Sequence, residues 1–510
     1  MSKASVRARQ RWGWWSAAVL VLGSAACSVI LDRNASQCQT DADCAKFGNH
    51  PYCRAGVCVS SGLGPAACTY LAPEQTPQEP GDFLNQCSQA VCIPFDDCAH
   101  LGVCTDAGPS LAAPPQSDAS ASPGSAFDAG SLPNCMDATA GRGNVVFISG
   151  ASTWPPLIQK LAGLVIGAGG PVPVFQTTSS CAAVQAVFNG TPMVDPSPGA
   201  PQSEYATYFQ ADGSQMPCLL GPRGVPIDVG ASDIFATSCG YASDAGTTND
   251  TTGAIQAMAF IVPSDSTQTA ISAEAAREVF GSGGHDGGAR PWTDPTRYFV
   301  RNAGTGSQQM VGRAVGVPPS QFWGVDQGTA TRLVNAIKLL TMTSAEPAIG
   351  FVSVDTYDSN RGNVNALAFK DWGQDCAYLP DSTVLSKDKQ NVRDGHYPIW
   401  GPIHFLTSYP ATAAATAFLN IVAVPNPPPN VDPIKIADAF IDSSLVPTCA
   451  MSVQRDTELG PLSAYQPPVP CGCYFDSKKG VPSPNCVSCD ATRPCPADRP
   501  ACNLGYCEVR

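Results

Sequence analysis

Several residue combinations that would indicate an enzyme or a nucleic-acid-binding protein are scarce or absent. Only 14% of the 510 residues are charged, and the net charge is −13; about 25% is usual. Such a chain lacks the basic face that neutralises phosphates, which excludes nucleic acid as a partner. Its five histidines form no zinc-binding pair, and neither a Gly-x-Ser-x-Gly elbow nor a phosphate-binding P-loop occurs. We therefore expect a protein that is not an enzyme, with no catalytic residues, metal or cofactor.

Long apolar runs are also missing. Apart from the first 26 residues, no run reaches the roughly 18 residues that span a bilayer, which excludes a polytopic membrane protein. Residues 1–26 combine four basic residues with the apolar stretch Trp12–Ala26, the layout of a secretory signal. The following Cys27 ends a segment that resembles a bacterial lipobox. We expect an exported protein held in the cell envelope by a lipid on Cys27; ordinary cleavage, with Cys27 merely nearby, is the alternative.

The cysteines indicate an oxidising compartment and a modular chain. There are 23 of them, so a lipid on Cys27 leaves an even number for disulfides. Even counts also hold by region: ten in 38–135, four in the middle and eight in 449–507. Residues 38–58 and 489–507 are copies of one small cysteine module, which needs disulfides because it is too short to build a core. Zinc at Cys486 and Cys489, which have metal-ligand spacing, is the weaker alternative.

Composition divides the chain into five segments. We predict a signal peptide at 1–26, cysteine-rich modules at 27–104, an Ala/Ser/Pro-rich linker at 105–142, a central domain at 143–447 and a C-terminal cysteine-rich module at 448–510. In the central domain, strand-like runs alternate with helix-like segments, which predicts an α/β fold. Four of its strands end in loops rich in glycine and small hydroxyl residues, and three of these loops lead into helices. Such loops can hold an anion, although Ser and Thr before a helix ordinarily serve only as N-caps.

The four loops together resemble the phosphate-binding protein of bacterial Pst-type ABC uptake systems. The matching segments are Ala151-Ser152-Thr153-Trp154-Pro155, Phe175-Gln176-Thr177-Thr178-Ser179-Ser180, Asp228-Val229-Gly230-Ala231-Ser232-Asp233 and Arg301-Asn302-Ala303-Gly304-Thr305-Gly306-Ser307. The resemblance covers about residues 143–447. It implies a two-lobed, type II periplasmic-binding-protein-like domain, here flanked by small disulfide-rich modules, with crossover strands at 257–262 and 348–354. The phosphate contacts it implies are Thr153, Ser180, Asp233, Arg301, Thr305, Gly306 and Ser307.

Asp233 is the most informative of these residues. A carboxylate repels an anion unless the anion has a proton to donate, and phosphate keeps one near neutral pH whereas sulfate does not. We therefore expect a solute-binding lipoprotein that captures inorganic phosphate, with an ABC permease as a partner. Arsenate would fit the same chemistry. The alternative is a cell-surface interaction protein that reuses the fold as a scaffold and binds its partner through the cysteine modules. A phosphate-handling enzyme is the weakest reading.

Overall fold

The computed structural model describes residues 52–54, 57–59, 80–86, 90–101, 127, 129–139, 144–242, 246–284, 288–423, 427–481 and 486–508. Met1–Cys68 and Thr69–Arg510 form separate compact units. In the first unit, β1 (Tyr52–Arg54) and β2 (Val57–Val59) form an antiparallel hairpin. The predicted signal segment, the lipid site at Cys27 and most of the linker lie outside the described residues, so these assignments and the five segment boundaries remain predictions.

The second unit is built on one large mixed sheet. Its strands are β3 (Val145–Gly150), β4 (Val172–Thr177), β5 (Ala206–Phe209), β6 (Gln215–Cys218), β7 (Val229–Ser232), β8 (Thr248–Pro263), β10 (Tyr298–Val300), β11 (Val325–Asp326), β12 (Ile349–Ser353), β13 (Val364–Ala366) and β15 (Trp400–Ser408). Their order is β11-β10-β12-β8-β15-β7-β3-β4-β5-β6, with β13 also paired to β8. Small two-stranded sheets are made by β9 (Ala270–Ser272) with β14 (Ala368–Lys370), β16 (Val453–Gln454) with β17 (Ser463–Ala464), and β18 (Ala501–Asn503) with β19 (Tyr506–Glu508).

Helices connect and cover these strands. They are α1 (Pro80–Leu84), α2 (Asp97–Leu101), α3 (Cys135–Thr139), α4 (Pro155–Gly167), α5 (Ser180–Asn189), α6 (Ala273–Ser282), α7 (Gly306–Val315), α8 (Ala330–Lys338), α9 (Val354–Asp358), α10 (Gln390–Arg393), α11 (Ala413–Val422), α12 (Pro433–Ile441) and α13 (Gly472–Lys478). The sequence starts several of them with a side-chain cap, as Ser272 does for α6 and Thr329 for α8. Among the described residues, no helix is long and apolar enough to cross a membrane.

The sheet has two halves, which define two lobes. In lobe one, β7, β3 and β4 are parallel, and the hairpin of β5 and β6 extends the edge. In lobe two, β11, β10 and β12 are parallel. The 16-residue strand β8 joins them, because residues 248–257 pair with β15 and residues 258–261 pair with β12. The predicted α/β, two-lobed periplasmic-binding-protein-like architecture is therefore confirmed.

The predicted position of the second crossover strand is wrong. Residues 348–354 contain β12, which pairs in parallel with β10 and so belongs to lobe two. The chain returns to lobe one through β15, which pairs with both β7 and β8. The β15 sequence carries Gly401, Pro402 and the buried His404, so it reads poorly as a strand. The pairing partner of a strand depends on distant segments, which a local apolar pattern does not identify.

Disulfides hold the outer segments on the sheet. The described pairs are Cys92–Cys376, Cys135–Cys218, Cys181–Cys239, Cys449–Cys471, Cys473–Cys486, Cys489–Cys502 and Cys495–Cys507. Two of them, Cys92–Cys376 and Cys135–Cys218, join cysteines from different sequence regions, so the pairing is not closed within each region. Cys486 and Cys489, the pair with metal-ligand spacing, belong to separate disulfides. Bonds of this kind persist in oxidising compartments, consistent with export.

The two copies of the repeated cysteine module end in hairpins of the same strand register. Cys53 pairs across its hairpin with Cys58, and Cys502 pairs in the same register with Cys507. In the sequence, two residues separate the paired segments in each copy, and the second of them is glycine. The sequence repeat therefore corresponds to a repeated local structure.

The C-terminal helix α13 contacts elements of both halves of the unit. Tyr474 on α13 donates to Asp438 on α12, in lobe one. On another side of α13, Asp476 pairs with Arg393 on α10. The segment at α10 is in turn joined to lobe two, because the buried Lys389 lies 2.8 Å from Asp358 on α9 and 2.9 Å from Asp381.

Candidate anion-binding site

Loops from both lobes meet at one narrow cavity of about 20 Å³. Each loop follows the carboxyl end of a parallel strand, which is where ligands bind in open α/β sheets. Lobe one contributes the loops after β3, β4 and β7, and lobe two contributes the loop after β10 and the end of β12. The lining residues are Ala151, Ser152, Thr153, Thr178, Ser179, Asp233, Met258, Arg301, Thr305, Gly306, Ser307 and Ser353.

Two helices begin at this cavity without a side-chain cap. Thr305 is the N-cap of α7, but its hydroxyl donates 2.8 Å back to the carbonyl of Asn302 and accepts nothing from the helix. Ser353 likewise does not cap α9. By contrast, Ser179 caps α5 by accepting from the N–H of Ala182. The uncapped N–H groups at the start of α7 carry partial positive charge, so the cavity is suited to an anion.

Asp233 is held rigidly against the cavity. It is 3% exposed, and its Oδ1 accepts a 2.8 Å hydrogen bond from Trp154 Nε1. Its Oδ2 accepts a longer bond of 3.4 Å from Thr153, and its backbone N–H donates to Ser180 Oγ at 3.3 Å. The indole N–H can only donate, so it fixes the orientation of the carboxyl group and leaves Oδ2 less engaged.

Burial makes the Asp233 carboxyl hard to ionise. Desolvation and, to a smaller extent, the charge of Asp355 raise its pKa from 3.8 to about 7, against the hydrogen bonds from Trp154 and Thr153 and the charge of Arg301. Asp355, on α9, is also buried; desolvation raises its pKa, and its Oδ1 accepts 2.9 Å from Gln256. Asp233 and Asp355 are thus two buried acids from different lobes that repel each other when both are ionised. This repulsion favours a proton on at least one of them near neutral pH.

Arg301 is the cation of the site. It is 7% exposed, and its Nε donates 3.2 Å to the carbonyl of Gly328. Desolvation lowers its pKa, and the charges of Asp326 and Asp233 oppose that shift. Within the described part of the chain, no acceptor is found for the N–H groups of its two terminal nitrogens. A planar fork held only through Nε is free to bind two oxygens of one anion.

The two lobes are in contact across the cavity. The N–H of Cys181, on α5, donates 3.1 Å to the carbonyl of Gly304 in lobe two. Gly306, at the start of α7, packs so closely on lobe one that a Cβ there would lie 2.7 Å from Ser180 Oγ and 2.9 Å from Asp233 Cβ. Glycine is therefore required for this approach. The small cavity is the closed form of an inter-lobe cleft.

The structure brings six of the seven sequence-predicted contacts to this cavity: Thr153, Asp233, Arg301, Thr305, Gly306 and Ser307. Ser180 is fully buried behind it, where its hydroxyl accepts from Asp233, while Ser179 and Thr178 form the wall instead. Sequence reasoning missed Ser353, which lines the cavity, and Trp154 and Asp355, which act on Asp233 from outside it. Trp154 adjoins a predicted contact and could have been included; Ser353 and Asp355 come from a strand end that no anion-loop pattern marks.

Comparison with known proteins finds solved structures of low similarity. No family model matches the sequence, and no curated protein matches it. A phosphate ABC transporter substrate-binding protein with bound phosphate from Clostridium perfringens is 12% identical over 60% of this chain and 100% of its own, with a TM-score of 0.41. An ABC-type phosphate transport receptor from Vibrio cholerae is 14% identical over 60% of this chain and 100% of its own, with a TM-score of 0.38. A Corynebacterium glutamicum OxyR is 9% identical over 60% of this chain and 68% of its own, with a TM-score of 0.33.

These similarities are low, and the fold assignment depends on the strand order and the crossover strands. On that basis the chain has a two-lobed binding-protein architecture with an anion-suited cavity between its lobes.

Proposed function

We propose that this protein is an extracytoplasmic solute-binding protein that captures inorganic phosphate between its lobes. The observation that carries the proposal is the meeting of Arg301, the uncapped start of α7 and the buried Asp233 at one small cavity. Arg301 would bind two phosphate oxygens, and the first N–H groups of α7 would bind a third. Thr153 and Ser307 would add hydroxyl donors. The role is binding, and the proposal assigns no reaction to these groups.

Asp233 would provide the choice of anion. Its Oδ2 can accept a hydrogen bond from a phosphate hydroxyl. Sulfate has no proton near neutral pH, so its oxygen and the carboxylate oxygen would repel each other. Burial raises the pKa of Asp233 to about 7, so the ionised carboxylate that rejects sulfate predominates above that pH, where phosphate still carries one proton. Arsenate has similar protonation and size, so we expect it to compete with phosphate.

Calorimetric titration of the phosphate-stripped protein with phosphate and with sulfate at neutral pH tests the proposal. We expect phosphate to bind with a Kd of roughly 1 µM or below, and sulfate to give no saturable heat. Arg301→Ala should weaken phosphate at least about 100-fold, because it removes a buried charged partner. Arg297→Ala is the matched control, since that side chain is half-exposed and pairs with Asp294. Asp233→Asn should admit sulfate.

The second candidate function is a cell-surface interaction protein, which the structural repeat at the two ends of the chain favours. In this reading, the hairpin formed by β18 and β19, with its disulfides, would bind a partner while the cleft is unused. Folded protein that gives no heat with either anion would support this reading and overturn the first. Phosphomonoesterase activity of the pure protein would overturn both.

Export, a lipid on Cys27 and delivery to a membrane permease complete the proposal for uptake. The disulfides support export, and the lipid site remains a sequence prediction. Mass spectrometry of the mature N-terminus tests it: a diacylglyceryl or triacylated Cys27 is expected, and a free cysteine or a different first residue would contradict it.

A further inference from the structure

A second and much larger cavity lies away from the anion cleft. Its volume is about 330 Å³, against about 20 Å³ for the cleft. The C-terminal end of α7 and the segment after β14 form one side, and the chain after β16 forms another. Apolar groups make up much of the wall, including Leu84, Ala314, Pro398 and Leu462. A cavity of this size fits a small organic molecule rather than an inorganic ion.

An unpaired buried cation forms part of its wall. Arg455 is 8% exposed, its Nε and Nη1 are fully buried without a hydrogen-bond partner, and no ion pair to it is found among the described residues. Its guanidinium carbon lies 4.1 Å from the centre of the Trp400 ring. Buried guanidinium groups ordinarily bind a carboxylate through both edges, and leaving the donors unsatisfied is strongly unfavourable. Arg455 lines the cavity, so an anion bound there would compensate its buried positive charge.

The remaining polar groups refine the chemistry. Arg313 lies at the exposed rim and adds a second positive charge. The indole of Trp372 is fixed as a wall because its Nε1 donates 2.8 Å to the carbonyl of Ala314. Asp371 is the acid of the wall, and burial raises its pKa to about 6, so it opposes an anionic ligand less in mildly acidic solution. Burial lowers the pKa of Arg455 to about 10, against the charges of Glu458 and Asp371, so this side chain stays charged in mildly acidic solution.

We infer that this cavity is a second ligand site, which binds a small carboxylic acid with an apolar body. Its carboxylate would pair with Arg455, and its body would lie against Trp372 and the aliphatic wall. The site is separate from the proposed phosphate cleft, since the two cavities share no lining residue. Ligand binding at this second site can therefore be tested independently of phosphate binding.

Titration of the full protein at pH 6 with the anion cleft saturated by phosphate tests the inference. The probes are phenylacetate, hexanoate and indole-3-acetate, and phenylacetamide is the uncharged isostere of the first. We expect at least one carboxylate to bind below about 1 mM, and phenylacetamide to bind at least about tenfold more weakly than phenylacetate. Arg455→Met should abolish this preference. Arg332→Met, an exposed arginine outside the cavity wall, should leave it intact.

Trp372→Ala keeps the test valid if Arg455→Met does not fold, because Trp372 is 45% exposed and its loss leaves the core in place. This variant should weaken phenylacetate at least about fivefold. The inference is overturned if no carboxylate gives saturable binding up to about 10 mM. It is also overturned if the amide binds equally well, or if binding is unchanged in Trp372→Ala. Displacement of the carboxylate by extra phosphate would place it in the anion cleft and overturn the inference too.

Discussion

Asp233→Asn gives the sharpest test of the electrostatics inferred for the cleft. In the unliganded protein, burial raises the pKa of this carboxyl from 3.8 to about 7. The folded state therefore holds a proton that the unfolded state has lost between these pH values. Stability from this group is fully present below pH 3.8, falls as the pH rises towards 7 and is constant above. By linkage, the total change is roughly 4 kcal/mol. Asparagine has no proton to lose, so the variant lacks this change.

Urea unfolding at unit steps from pH 4 to pH 8, in phosphate-free buffer, measures the effect. We expect the variant to become progressively more stable relative to the natural protein, by a few kcal/mol over the range. Effects of the substitution that do not depend on pH cancel, because only the change with pH is compared. Asp137→Asn, at an exposed position on α3, serves as the matched control. A difference between Asp233→Asn and the natural protein that stays constant with pH would refute the assigned burial and charge environment.

Three further substitutions test the cleft and its supports. Gly306→Ala should weaken phosphate at least about tenfold in calorimetry, because its Cβ would meet lobe one below 3 Å and oppose closure. Replacing both Cys181 and Cys239 by serine should lower the free energy of unfolding by about 4 kcal/mol, because the disulfide closes a loop of 58-residue separation. The same variant should bind phosphate more weakly, since the disulfide joins two binding loops. Lys389→Met should lower the free energy of unfolding by about 3 kcal/mol in urea titration, because two buried carboxylates lose one of their two shared cations and keep only Arg361.

Matched changes separate these effects from general damage. Gly167→Ala, where a Cβ meets nothing within 4 Å, should leave phosphate affinity unchanged. Serine at Cys489 and Cys502 should reduce stability but not affinity, because that disulfide lies in the C-terminal module. Lys435→Met alters an exposed lysine and should change stability little. Equal losses in a variant and its control would contradict the corresponding argument.

The parallel strands and their loops could be predicted from sequence because their signals are local. Buried strands such as β3 and β4 are continuous apolar runs, and glycine and hydroxyl residues mark their ends. What could not be predicted depends on distant residues. The return through β15 is set by pairing with β7 and β8. Asp355 reaches the site because its helix follows a strand of the opposite lobe. The missing cap of α7 is also invisible in sequence, since Thr305 is an ordinary N-cap residue whose hydroxyl bonds elsewhere.

The position of α13 has a mechanical consequence for ligand exchange. This helix is bonded through Tyr474 to α12 in lobe one and through Asp476 to the segment that leads back from lobe two. A wide swing of the lobes would have to break these contacts, whereas a shallow one can pivot about them. We expect these contacts outside the cleft to limit the amplitude of opening. Loss of the Tyr474 and Asp476 contacts would enlarge that amplitude and speed the release of the proposed ligand.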